Sequence, residues 1–212
     1  MNKRQQAILG SLVRSQMYLT VYAADFASVL ASPPKEDLDE FIGQIQEYRD
    51  LQTRARQLAK SETSSLHRAT VALRRYMRPI ADIAADHLSH LPEIASLVCP
   101  SADAAPATLI LDALAMHEAV HAHKCTFVAS GLDASFDTTL AAAIEDVSAR
   151  VRACHRYKRQ TAGATRALAG AVARALKARR TLDLLIAPIV APKTSLRSGW
   201  DKSKHVNRAR VA

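Results

Sequence analysis

The sequence predicts an all-α protein, an elongated antiparallel helical bundle of four to five helices, two of them very long. The first observation is composition: the 212 residues include 40 Ala but only 6 Gly and 8 Pro, and 5% are aromatic. Alanine has the highest helix propensity, whereas β-sandwiches and barrels need β-branched and aromatic strands with frequent turns. The second observation is spacing, because apolar residues recur every three or four positions between a few breakers, as they do in helices.

Three groups of breakers divide the chain. The first is the run Ser32–Pro34, which is typical of a helix N-cap followed by proline in the first turn. The second is residues 92–106, which contain three prolines. The third is residues 130–133, where Gly131 is suited to end one helix and Asp133 to cap the next. These positions predict where the helices begin and end.

The first half of the chain predicts a short helix and then a long one. Before the first breaker, these apolar residues keep a helical spacing: Ile8, Leu12, Leu19, Tyr22, Phe26 and Val29. After it, a seven-residue apolar repeat stays in phase over residues 38–80, across the poor helix formers at 61–65. We therefore expect one long helix that bends at Pro79 rather than two helices.

The second half repeats this order. A helix is predicted over residues 107–129, followed by a second long apolar seam over residues 136–189. Gly163 and Gly170 are the positions at which this second long helix could break, because glycine disfavours a helix interior.

The repeated order of short and long helices suggests an internal duplication. The predicted bundle covers residues 1–191, with possible halves at 1–99 and 106–191. Residues 192–212 are polar, basic and without apolar periodicity, and they predict a disordered, flexible basic tail.

The turn between the second short helix and the second long one carries a family resemblance. Residues 127–136 read Phe-Val-Ala-Ser-Gly-Leu-Asp-Ala-Ser-Phe. This segment resembles the FVxxGL…xF helix–turn–helix of a set of Ala-rich bacterial helical-bundle proteins that carry no known activity. The likeness covers roughly the last 90 residues. It implies a helical bundle and implies no function.

Charge is distributed unevenly along the chain. Residues 1–149 contain 13 basic and 18 acidic residues, whereas residues 150–212 contain 16 basic and 2 acidic ones. Residues 49–78 add a further 8 basic residues against 2 acidic ones. Basic side chains clustered on a helix suit contacts with a phosphate backbone, and the alternative is that the arginine stems cover alanine seams and keep a long helix soluble. The cluster predicted to bind a polyanion is Arg174, Lys177, Arg179 and Arg180.

The sharpest motif is a match to HExxH. On a helix, His117 and His121 would share a face and could hold a zinc ion while Glu118 activates a bound water. This pattern predicts the alternative function, a metal-dependent hydrolase. A third ligand on the next helix could only be Glu145 or Asp146. The structural interpretation is that the two histidines lie at the edge of the core and bond to a neighbouring helix.

The sequence lacks the motifs that identify several classes of enzyme and binding protein. There is no Gly-rich phosphate loop and no GxSxG motif, the three cysteines have no CxxC spacing, and no cofactor is indicated. The sequence lacks an apolar run long enough for a membrane span and a recognisable signal peptide, which predicts a cytoplasmic protein. We therefore expect a helical scaffold or interaction protein, rather than an enzyme, that binds nucleic acid or another polyanion. The long apolar seams also suit a homo-oligomer.

Overall fold

The structure is a computed structural model that describes residues 1–206. Within this range every regular element is an α-helix, which confirms the all-α fold. The helices, numbered in chain order, are α1 (Lys3–Val21), α2 (Ala27–Leu30), α3 (Pro33–His87), α4 (Pro92–Ala95), α5 (Pro106–Ala122), α6 (Lys124–Ala129), α7 (Phe136–Val190) and α8 (Thr194–Lys204).

The two long helices are continuous, as the apolar repeats predicted. Both α3 and α7 contain 55 residues. Helix α3 runs through the poor helix formers at 61–65 and through Pro79, and α7 runs through Gly163 and Gly170. A buried apolar stripe stabilises these helices by more than such single positions cost, because most helical stability in proteins comes from packing. None of the described helices is long and apolar enough to span a membrane.

The eight helices described exceed the predicted four to five because each predicted short helix is divided in two, α4 forms within the breaker region 92–106, and α8 forms in the predicted tail. Helices α2, α4 and α6 have four to six residues each. The helix predicted over residues 107–129 is interrupted at His123, which separates α5 from α6. These one-turn helices pack single apolar side chains, such as Val29 and Phe127, into the cores.

The chain divides into two compact units, each built from parts of both long helices. Unit 1 contains residues 1–56 and the described part of 159–212, and unit 2 contains residues 57–158. The units therefore follow a different division from the possible halves at 1–99 and 106–191. The internal duplication itself stays a prediction.

Unit 1 holds its own apolar core. Its fully buried side chains include Leu12, Leu19 and Phe26 from the N-terminal segment and Leu168 and Leu182 from α7. Two polar contacts show that α3 and α7 run antiparallel here. Gln52 Nε2 donates to Thr165 Oγ1 at 2.7 Å, and Arg174 Nη2 donates to Gln44 Oε1 at 2.9 Å.

Helix α8 lies in the segment that was predicted to be a flexible tail. Leu196 and Trp200, one turn apart on α8, are buried in the unit 1 core. The Tyr18 hydroxyl donates to the Leu196 carbonyl at 2.9 Å, which joins α1 to α8. The tail prediction is therefore corrected for residues 194–204, where two apolar side chains among basic ones are enough to dock a helix. Residues 207–212 of that predicted tail lie outside the described residues.

Unit 2 has a second core, which includes Leu73, Leu109 and Phe127. The turn from α6 to α7 follows the prediction at Gly131, whereas α7 begins only at Phe136, and the Asp133 side chain accepts from the Ser135 amide at 2.7 Å before the helix starts. Gly131 adopts a φ of 102° and ends α6, and the Leu132 amide donates to the Phe127 carbonyl at 3.1 Å. Glycine accepts this left-handed conformation without the strain that a Cβ would cause.

Candidate functional site

The most distinctive surface of the described chain is the exposed side of α7. Residues 147–182 contain no Asp or Glu, although they span most of a helix. The same stretch carries ten basic residues: Arg150, Arg152, Arg156, Lys158, Arg159, Arg166, Arg174, Lys177, Arg179 and Arg180.

Five of these residues form one surface within unit 1, which we call the basic face: Arg159, Arg166, Arg174, Lys177 and Arg180. They are separated by 7, 8, 3 and 3 positions along the helix. These separations stay close to whole numbers of turns at 3.6 residues per turn, so the side chains share a side of α7. All five are exposed, and the other side of the helix supplies the unit 1 core.

The charges on the basic face have no acidic partner among residues 1–206. No carboxylate of this range lies within 4.0 Å of any of the five, whereas Arg150 contacts both Glu62 and Asp146. Arg174 is held in place by neutral groups. Its guanidinium carbon lies 5.1 Å from the centre of the Phe41 ring, and it donates to Gln44. The basic face therefore presents its charge to solvent.

The structure separates the four residues of the predicted polyanion cluster. Arg174, Lys177 and Arg180 lie on the basic face, but Arg179 points to another side of the helix and is half-buried. Arg179 Nη1 donates to Ser11 Oγ at 3.0 Å. Burial lowers the pKa of Arg179 below its ordinary value, against the opposing effect of the nearby Asp183 carboxylate.

Arg166 was not among the residues predicted from the sequence to bind a polyanion. The signal was present in the spacing of the basic-face residues by whole helical turns within an acid-free stretch.

The basic residues that follow α7 are placed differently. Lys193 contacts Asp25 at 2.5 Å, and Lys204 contacts Asp183 and Asp201 at 3.0 Å each. These ion pairs involve two of the six basic residues of the predicted tail. Arg208 and Arg210 lie outside the described residues.

The histidines of the HExxH match meet a carboxylate that the sequence analysis did not identify. Asp137, in the first turn of α7, has a side chain only 7% exposed. Its Oδ2 lies 3.0 Å from His121 Nδ1, in a hydrogen bond, and 3.7 Å from Lys124 Nζ. Its Oδ1 lies 2.9 Å from His117 Nε2 without the alignment of a hydrogen bond.

The electrostatics of this cluster favour an ionised carboxylate. Burial by itself would raise the pKa of Asp137, but the hydrogen bond from His121 and the charges of His117, His121 and Lys124 outweigh it. The pKa of Asp137 is therefore held below its ordinary value. A negative charge in the first turn also complements the helix dipole.

The other residues of the predicted hydrolase are not assembled with the histidines. Glu118 is exposed, Glu145 contacts Arg152 at 2.5 Å, and Asp146 contacts Arg150 at 3.2 Å. Within residues 1–206, no three His, Cys, Asp or Glu side chains are grouped so that they could hold a metal ion. The cluster joins α5 and α6 to the start of α7. A metal at His117 and His121 stays a prediction, which the zinc and iron content of the purified protein would test.

The position of Asp137 beside the two histidines could have been predicted from the turn that precedes α7. Gly131 reverses the chain, so the first turn of α7 returns beside the end of α5 and beside α6. A carboxylate placed there faces the histidines of the preceding helix.

Comparisons of this chain with protein-family models, with curated proteins and with solved structures find no match.

Proposed function

We propose that this protein is a non-catalytic helical scaffold that binds nucleic acid through the basic face of α7. The observation that carries the proposal is a row of five exposed basic side chains without an acidic partner among the described residues. Such a surface attracts a polyanion mainly by releasing counterions from its phosphates.

The lack of internal neutralisation supports this function over a purely structural role. In unit 1, α3 carries acidic residues such as Glu40 and Glu47, each about one helical turn from Gln44, which is the α3 partner of Arg174. Within the described chain, no ion pair forms between these residues and the basic face. The long stems of Arg and Lys can still cover apolar surface while their charged ends stay in water, so a solvating role and a binding role are compatible.

The dimensions of the basic face suit a phosphate backbone. Arg159 and Arg180 are 21 positions apart, which corresponds to about 31 Å along a helix at 1.5 Å per residue. At about 3.4 Å per phosphate along one strand, this length covers roughly nine phosphates. Residues 159–182 contain no aromatic side chain on which bases could stack. We therefore expect contacts with phosphates and little sequence preference.

The test is binding of a labelled DNA duplex and a labelled single-stranded RNA, measured by fluorescence anisotropy with the full chain. The variant replaces three residues of the basic face: Arg166→Gln, Lys177→Gln and Arg180→Gln. Glutamine keeps good helix propensity, so α7 should persist. We expect both nucleic acids to bind about tenfold or more weakly to this variant at 0.1 M salt, since each lost phosphate contact weakens binding.

The matched control carries the same loss of charge at exposed positions of unit 1 outside α7, on α1 and α8: Lys3→Gln, Arg4→Gln and Lys202→Gln. We expect the control to bind within about threefold of the unmodified protein. An equal loss in both triple variants would contradict the proposal, because binding would then follow net charge. Failure of the unmodified protein to bind either probe at low salt would also contradict it.

A further inference from the structure

A cavity of about 670 Å³ lies within unit 2, between α3 and the segment that follows α4. This volume falls within the range of roughly 300 to 1,000 Å³ that is typical of small-molecule sites. The residues that give the cavity its chemistry are Arg74, Arg75, Arg78, Asp82, Cys99 and Ser101. It shares no residue with the basic face of α7 or with the Asp137 cluster.

The charge of this cavity is strongly positive. Three guanidinium groups, on Arg74, Arg75 and Arg78, line it together with a single carboxylate, Asp82. No carboxylate among residues 1–206 lies within 4.0 Å of any of these three arginines. By contrast, Arg150 of α7, in the same unit, contacts two carboxylates, those of Glu62 and Asp146. The cavity therefore holds an excess of about two positive charges, counting its lining residues at neutral pH.

Arg74 is positioned by the segment across from it. Its Nη2 donates to the Ala104 carbonyl at 3.2 Å, and the thiol of Cys99 donates to the Arg74 carbonyl at 3.7 Å. The Arg74 Nε is buried and has no hydrogen-bond partner within the described chain. Arg74 as a whole is half-buried, but a buried N–H group without an acceptor is costly, and an anion oxygen that reached Nε would offset that cost.

The pKa of the Cys99 thiol depends on the charged groups that line the cavity. Burial raises the pKa of this thiol, while the positive charges of Arg78 and Arg74 act in the opposite direction and the charge of Asp82 acts with burial. The guanidinium groups of Arg74 and Arg78 therefore lie close enough to Cys99 to act on its thiol.

We propose that this cavity binds the phosphate group of a small phosphomonoester. Such a group carries a charge of about −1.5 to −2 at neutral pH and three strong acceptor oxygens, which match the excess positive charge. Arginine binds phosphate through paired N–H groups, and the Ser101 hydroxyl adds a donor. Val71, Pro79 and Pro100 line the remainder of the cavity and offer apolar contact to the organic part of the ligand. This site is independent of the proposed binding of nucleic acid.

The test is isothermal titration of the full chain with phenyl phosphate, inorganic phosphate and dimethyl phosphate. The variant is Arg78→Gln. The matched control is Arg68→Gln, which removes the same charge from an exposed arginine of α3 in the same unit and outside the cavity. We expect one phenyl phosphate per chain, binding about tenfold or more weakly to Arg78→Gln and within about twofold to Arg68→Gln.

A second readout is alkylation of Cys99 by iodoacetamide, followed by peptide mass spectrometry. Phenyl phosphate should slow the modification of Cys99 and leave that of the exposed Cys125 unchanged. The proposal is overturned if the unmodified protein does not bind phenyl phosphate, or if both variants lose the same affinity. It is also overturned if dimethyl phosphate binds as tightly, because the cavity would then recognise phosphodiesters such as nucleic acid.

Discussion

At the scale of single residues, Asp137 shows how a buried charge organises a helix junction. The carboxylate is almost fully covered, yet it contacts two imidazoles and an ammonium group from the preceding helices. A buried charge is tolerated only when it is paired, so His117, His121 and Lys124 act together to keep the start of α7 in place. These contacts give the two histidines of the HExxH match a structural role at this junction.

Replacing this carboxylate should destabilise the protein. Asp137→Asn removes the charge that three basic groups share, and we expect the free energy of unfolding to fall by about 1 to 2 kcal/mol. The effect is limited because His121 is 69% exposed and water screens its charge. Urea denaturation measures the change. Asp112→Asn, at an exposed position on α5, is the control and should change stability by less than about 0.5 kcal/mol. Equal stability of the two variants would rule out the role of Asp137.

The lowered pKa of Asp137 predicts a specific pH dependence. A carboxyl group with a lower pKa in the folded state stabilises the fold fully above its unfolded value, about 3.9, and loses that contribution as the pH falls through the folded pKa. The difference in unfolding free energy between the unmodified protein and Asp137→Asn should therefore be constant just above pH 4 and shrink at lower pH. Urea titrations at several pH values measure it. A difference that grows on acidification would contradict this assignment.

At the scale of elements, glycines at a turn and in a helix should respond in opposite directions to the same change. Gly131→Ala places a Cβ on a residue with a φ of 102° and should destabilise the protein by about 1 kcal/mol. Gly163→Ala, in the interior of α7, meets no atom within 4 Å and should stabilise it by about 0.5 to 1 kcal/mol. Thermal denaturation of the two variants compares them. Destabilisation by Gly163→Ala would show that α7 is not a regular helix at this point.

Helix α8 depends on a close approach to α1. A Cβ at Gly199 would lie 2.6 Å from Tyr18 Cε2. The Tyr18 ring cannot easily move, because it packs against Tyr22 and Trp200 with ring centres 4.7 and 6.1 Å away. We expect Gly199→Ala to cost about 1 to 3 kcal/mol and to increase amide hydrogen exchange across α8. The exposed neighbour provides the control, Ser198→Ala, which should leave the exchange rates unchanged. Unchanged exchange in Gly199→Ala would mean that α8 is not docked in solution.

The elements that could be predicted from the sequence are those whose signal is long and repetitive. The seven-residue apolar repeat predicted α3 through Pro79, and Gly131 predicted the end of α6. Helix α8 was missed because only two buried apolar residues, Leu196 and Trp200, mark its packed side within a basic segment. The role of Asp137 was missed because it depends on tertiary packing, which brings α7 back beside α5 and α6.

At the scale of the whole molecule, a net charge of +9 does not by itself make a binding surface. Ion pairs cover part of that charge at Arg150, Lys193 and Lys204. On the basic face of α7, exposed charge without an acidic partner among residues 1–206 is aligned along several turns of one helix. The distribution of charge rather than its total should therefore determine how nucleic acid binds.

The salt dependence of binding distinguishes binding through the basic face from binding that depends only on net charge. The slope of log K against log salt becomes less steep by about 0.9 for each phosphate contact removed from a duplex. If net charge governed binding, Arg166→Gln, Arg179→Gln and Arg4→Gln would change the slope equally. Because Arg166 lies on the basic face whereas Arg179 donates to Ser11, we expect a change of about 0.9 for Arg166→Gln and almost none for the other two. Anisotropy titrations of a DNA duplex at four or five salt concentrations measure the slopes. Equal slopes for all three variants would mean that nucleic acid responds to the overall charge of the molecule and that α7 has no special part in binding.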